Sequence, residues 1–225
     1  MAVLVAPLAV NVSMQVAFRT LPRRFGRERG YLAAFGAYWV AWGFVFPLAV
    51  LGPKGLAAQF TRVRRLQLTD LALLLAPPVG GALQPKARAT HTQAGVALAL
   101  AFGIVNGLAE ELLWRGVFVA TFDDRLRGWL YPAVGFGAWH LAPQAVYASN
   151  KKYRFAFLAT LLGLVYGEVA RRTGGIAWTA PAHMVTDYLG TDLAWFSELH
   201  GGATRTGSLR GDPPMQSRDR RRASI

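Results

Sequence analysis

The stretch 93-QAGVALALAFGIVNGLAEELLWRGVFVATF-122 decides how this chain is read. It is longer than the ~20 apolar residues that one membrane helix needs. Its first half is apolar, yet its second half holds Glu110, Glu111 and Arg115. An ionisable side chain inside a membrane helix costs about 2.5–3.5 kcal/mol on insertion scales, so it persists where it is paired, hydrated or used. The stretch therefore reads as a membrane helix that carries a site.

The rest of the chain agrees. Of 225 residues, 53% are hydrophobic and only 16% charged, and mean hydropathy is +0.26. Soluble domains carry roughly 25% charged residues, so both a disordered chain and a soluble enzyme are disfavoured. Apolar runs at 1–18, 31–51, 71–83, 93–122, 129–147, 155–170 and 176–196 predict an all-α, polytopic bundle of about seven transmembrane helices around a polar intramembrane site. The third run is the weakest, being short and interrupted by Pro77 and Pro78. The first has its positive charges after the apolar part, at Arg19, Arg23, Arg24, Arg27 and Arg29, which is the reverse of a cleaved signal.

Net charge is +13. The basic residues lie between the apolar runs and in the tail, as at membrane flanks facing anionic lipid, and nucleic acid is not expected as a partner. Of the 25 Lys and Arg, 16 fall after the first, third, fifth and seventh runs and 8 after the others, which predicts a cytoplasmic tail. The expected organisation is one transmembrane unit over 1–196, with its motif core at 93–189, and a disordered basic tail over 197–225. Arg218, Arg220, Arg221 and Arg222 in that tail suit an anionic leaflet. No cysteine is present, so disulfides and Cys-ligated zinc are excluded.

Three motifs carry the chemistry. Glu111 and Arg115 are four apart with the acid first, the better order for a helical ion pair. Glu110 points about 100° away and is left for other work. Phe136-Gly-Ala-Trp-His140 places an imidazole in an aromatic, small-residue helix, as a bonded core histidine or as a ligand. His183-Met-Val-Thr-Asp187 sets an imidazole and a carboxylate on one face. The carboxylate either orients the imidazole or binds one ion beside it. Glu168 and Asp192 complete the set of intramembrane acids, while His91 and His200 stand in polar stretches. A carboxylate and two imidazoles meeting inside a bundle make a hydrolytic site, in which the carboxylate takes a proton from water. The imidazoles then hold a metal or support the oxyanion.

Glu110-Glu111-x-x-x-Arg115, Phe136-x-x-x-His140 and His183-x-x-x-Asp187, in this order, resemble the three-motif signature of the CPBP (Abi) family. These are intramembrane proteases related to the type II CAAX prenyl endopeptidase. The resemblance covers about 93–189. It implies an endopeptidase in which Glu110 activates water and His140 acts with it. It further implies that His183 and Asp187 complete the site, and that Glu111 and Arg115 hold its geometry. Glu110, His140, His183 and Asp187 are the candidate ligands of a divalent metal such as zinc; a metal-free glutamate mechanism needs no cofactor. The motif ends in Asp187 where many relatives have Asn, and the extra charge favours a cation. The implied substrate is a membrane protein or lipid-anchored peptide in the bilayer. The Ala-, Gly- and Arg-rich composition points to a bacterial cell membrane. The competing class is a non-catalytic immunity factor or scaffold of the same family. A transporter finds less support, because no inverted repeat is visible.

Overall fold

The structure, a computed structural model, describes residues 1–61, 64–83, 93–146 and 152–189. Among them the chain forms seven helical rods and no strand. The rods are α1 (Ala2–Phe25), α2 (Arg27–Thr61), α3 (Leu68–Ala82), α4 (93–121), α5 (126–139), α6 (Lys152–Thr173) and α7 (Thr179–Asp187).

α1 shows why these rods form. Val3, Ala6, Val10, Met14 and Phe18 recur every three or four residues and are buried, whereas Val5, Leu8, Val12 and Val16 face outward. Similar outward rows stand on α3 (Leu71, Leu75, Val79) and on α6 (Phe157, Leu158, Leu161). So much exposed apolar surface belongs in lipid rather than water. Between α1 and α2 the backbone reverses at Gly26, whose φ of 83° is open to glycine at little cost. Inside, Phe18 meets Tyr31, Phe35 and Trp139 with ring centroids 5.1–5.9 Å apart, joining α1, α2 and α5. α4 is not uniform: Leu112–Gly116 is a π-helical turn, a widening that recurs at functional sites.

Among the described residues four rods are long and apolar enough to cross a membrane: α1, α2, the Val96–Thr121 part of α4, and α6. α3 has 15 residues and α7 nine. These shorter rods complete the bundle by packing on the longer ones. Two expectations are corrected. α3 passes through Pro77 and Pro78 unbroken, because proline's fixed φ is itself helical and only N–H groups are lost. α1 continues past residue 18 to Phe25, placing Arg23 and Arg24 in its last turn, where cations suit the helix dipole. The expectations for Asp192, His91, His200, the end of the seventh run and the basic tail lie outside the described residues.

Candidate active site

The site forms where α4 and α7 lie almost backbone to backbone. A Cβ on Gly107 would stand 2.8 Å from the Met184 nitrogen and 2.9 Å from its Cα. Only glycine permits this approach, which brings the Glu110–Glu111 pair of α4 onto His183 of α7. Glu110, Glu111 and His183 are each at most 1% exposed.

Glu111 is a fully engaged carboxylate. Its Oε1 lies 2.8 Å from His183 Nδ1 and 3.1 Å from Arg115 Nη1, and its Oε2 accepts the Thr179 hydroxyl at 2.6 Å. The Arg115 guanidinium lies over the Phe136 ring, 4.2 Å from its centroid. The predicted Glu111–Arg115 pair is thus present, and Glu111 does more than pair. It fixes the orientation and tautomer of His183, as a carboxylate behind a working imidazole does. Of the two possible orienting carboxylates, the one on Nδ1 is Glu111. Asp187 faces the other nitrogen.

Because Nδ1 donates to Glu111, the Nε2 of a neutral His183 carries a lone pair. It faces Glu110 Oε2 and Asp187 Oδ1, each 3.4 Å away. Neither Glu110 Oε2 nor His183 Nε2 has a hydrogen-bond partner among the described residues. A lone pair against two carboxylate oxygens is repulsive unless a positive centre lies among them. That centre is a proton, on Nε2 or on one of the two carboxylates, or a divalent cation.

Three further side chains hold these carboxylates. The Trp139 indole donates to Glu110 Oε1 at 2.8 Å and stacks on Tyr38 at 4.0 Å. Asn106 Nδ2 donates to Asp187 Oδ2 at 2.9 Å, and Asn106 Oδ1 accepts from the Trp39 indole at 2.9 Å. Trp39, Asn106 and Trp139 did not stand out in the sequence. Asn106 could have: it lies four residues before Glu110, on the same face of an apolar helix. Replacing Asn106 with alanine removes one donor from Asp187 and frees the Trp39 indole. We expect kcat to fall roughly 10–100-fold with KM little changed, which steady-state kinetics on a cleavable peptide will show.

His140 sits one residue beyond the end of α5, half-buried against Phe136 and Phe155. Its Nδ1 donates to the Phe136 carbonyl at 2.8 Å, so a neutral ring presents Nε2 as an acceptor. His140 is not among the ligand atoms of Glu110, His183 and Asp187 that lie within 4.8 Å of one another. Glu168 is elsewhere, near the end of α6, paired with Arg125, Arg171 and Arg172.

The three mutually close donors, one imidazole and two carboxylates, are a suitable set for a divalent cation. The unpartnered buried Glu110 and His183 atoms fit that role as well. No curated protein and no solved structure matches the chain. A family model does match over residues 92–189, a little under half of the 225 residues, and spans all three motifs, including Glu110, His183 and Asp187. Apolar rods long enough to span lipid, together with that match, make this an integral membrane protein whose segment 92–189 is similar to the type II CAAX prenyl endopeptidase Rce1-like family.

Proposed function

We propose that the chain is an intramembrane endopeptidase cutting a peptide bond in a membrane-associated substrate, with Glu110 as general base. The observation that carries this reading is the Glu110 carboxylate. One oxygen is anchored by Trp139, and the other is turned, unpartnered, toward His183 and Asp187 inside the bundle. A buried acid held this way is prepared for proton transfer.

In the proposed reaction Glu110 Oε2 takes a proton from water as the water oxygen bonds to the scissile carbonyl carbon. The carbonyl π pair moves onto oxygen. His140 Nε2, an acceptor in the neutral ring, orients the same water. As the oxyanion collapses and the C–N bond breaks, the proton on Glu110 passes to the leaving nitrogen. His183, held by Glu111, and Asp187, held by Asn106, set the charge around the carboxylate. In the alternative in which Glu110 Oε2 is a ligand rather than the base, Glu110, His183 and Asp187 would together hold a divalent metal. When bound, it supplies Lewis-acid polarisation and a more acidic water.

The test is cleavage of membrane-derived peptides by the purified protein in detergent micelles, with new termini read by mass spectrometry. Discrete cut sites are expected. Intact peptides across mixtures that include lipid-anchored ones would defeat the reading. The metal is tested separately by elemental analysis and a chelator titration. About one equivalent of zinc or a similar ion, with activity lost on chelation and restored by the ion, is expected. Metal-free protein whose activity resists chelators would make the positive centre a proton shared among His183, Glu110 and Asp187.

A further inference from the structure

A second polar site lies at one end of the bundle, apart from the Glu110 cluster. The C-terminal ends of α2 and α6 meet there: the Ile176 N–H donates to Gln59 O at 2.9 Å, and the Arg64 N–H to Thr173 O at 2.8 Å. α6 is long and apolar enough to span a membrane and carries Arg171 and Arg172 in its last turn, which puts this end at a membrane face; α2 arrives there after a kink at Gly52. Trp178 marks the same level. It is 40% exposed and its indole donates to Arg64 O, as suits a ring at the lipid–water boundary.

A cleft of about 320 Å³ opens here, lined by Arg64, Arg65, Gln67, Asp70, Arg171 and Arg172. Its charges do not balance. Arg172 bonds Asp70 at 3.1 Å and Glu168 at 2.8 Å, and Arg171 also bonds Glu168, at 3.0 and 3.1 Å. Those two carboxylates are therefore already committed. Arg64 and Arg65 are exposed and make no ion pair among the described residues. Four guanidinium groups share two carboxylates, Asp70 and Glu168, and the excess positive charge is self-repelling unless an anion joins them. Guanidinium forks match phosphate oxygens in geometry and charge.

We propose that this cleft binds a phosphate-bearing anion, supplied at the membrane face by the headgroup of an anionic phospholipid. Arg64 and Arg65 grip the phosphate, while Arg171 and Arg172, braced by Glu168 and Asp70, form the wall behind it. The inference is independent of the protease reading, since none of these residues touches the Glu110 cluster.

The experiment uses the full chain in neutral detergent, with bound lipid counted by native mass spectrometry. Phosphatidylglycerol, phosphatidylcholine and inorganic phosphate are titrated in turn. Retention of phosphatidylglycerol is expected. Phosphatidylcholine should bind weakly, because its choline cation meets arginines. The double variant R64A/R65A should bind phosphatidylglycerol roughly tenfold or more weakly, with an unchanged thermal midpoint, as both side chains are exposed. R23A/R24A removes the same charge from the last turn of α1 and should bind like wild type. Binding of inorganic phosphate without phosphatidylglycerol retention would uphold the anion site and reject the lipid as its source. Phosphatidylglycerol binding that survives R64A/R65A, or that falls equally in R23A/R24A, would overturn the proposal.

Discussion

Glu110→Gln is expected to reduce peptide cleavage by about 10²–10⁴-fold while the protein inserts and melts like wild type. The magnitude follows from the job assigned to the carboxylate: removing a positioned general base costs typically 10²–10⁴-fold. The preserved fold follows from geometry. Glutamine keeps the volume, and its oxygen can still accept from the Trp139 indole, now 2.8 Å from Glu110 Oε1. Its amide would then face His183 Nε2 and Asp187 Oδ1 as a donor, a tolerable arrangement for a neutral imidazole. What glutamine cannot do is take a proton from water. The check is a side-by-side rate on one cleavable peptide, with circular dichroism and thermal midpoints in the same detergent. A variant that keeps more than about a tenth of wild-type turnover, where two to four orders of magnitude should vanish, would remove Glu110 from the base role. Unfolding of the variant would point instead to a structural carboxylate.

Much of this was legible in the sequence, for identifiable reasons. Hydropathy alone locates the rods, because a chain in lipid must present apolar side chains and satisfy its backbone within each helix. The Glu111–Arg115 pair was legible because its partners are one helical turn apart. The orientation of His183 was not. Spacing offered Asp187, four residues away, whereas the Nδ1 contact comes from Glu111, 72 positions back and on another helix. Local periodicity cannot report such a contact. The tryptophans were illegible for another reason. Trp39 and Trp139 sit in apolar runs as hydrophobes do, and only tertiary packing shows that their N–H groups end on Asn106 and Glu110.

Glu111→Gln should be more damaging to the fold than Glu110→Gln. Arg115 is 2% exposed, and Glu111 is its ion-pair partner at 3.1 Å. Glutamine can still accept from His183 with its oxygen and turn its amide toward the Thr179 hydroxyl, so few hydrogen bonds are lost. The negative charge is lost, and a buried guanidinium is left uncompensated. Breaking one side of a buried pair costs about 3–5 kcal/mol, whereas replacing both partners with well-packed neutral groups is often near neutral. The single variant should therefore melt lower by on the order of 10 °C. The double variant E111Q/R115M should recover most of that loss, since methionine can lie on the Phe136 ring where the guanidinium now lies. Activity should not recover with it. His183 would keep a neutral acceptor on Nδ1 but lose the carboxylate that favours positive charge on the ring or on a metal at Nε2. Outer partners of this kind carry roughly 10–100-fold in activity. A stability rescue without an activity rescue separates the two tasks of Glu111, balancing Arg115 and charging His183. If the double variant regains both, Glu111 is only a counter-ion. If it regains neither, the buried guanidinium is not what destabilises the single variant.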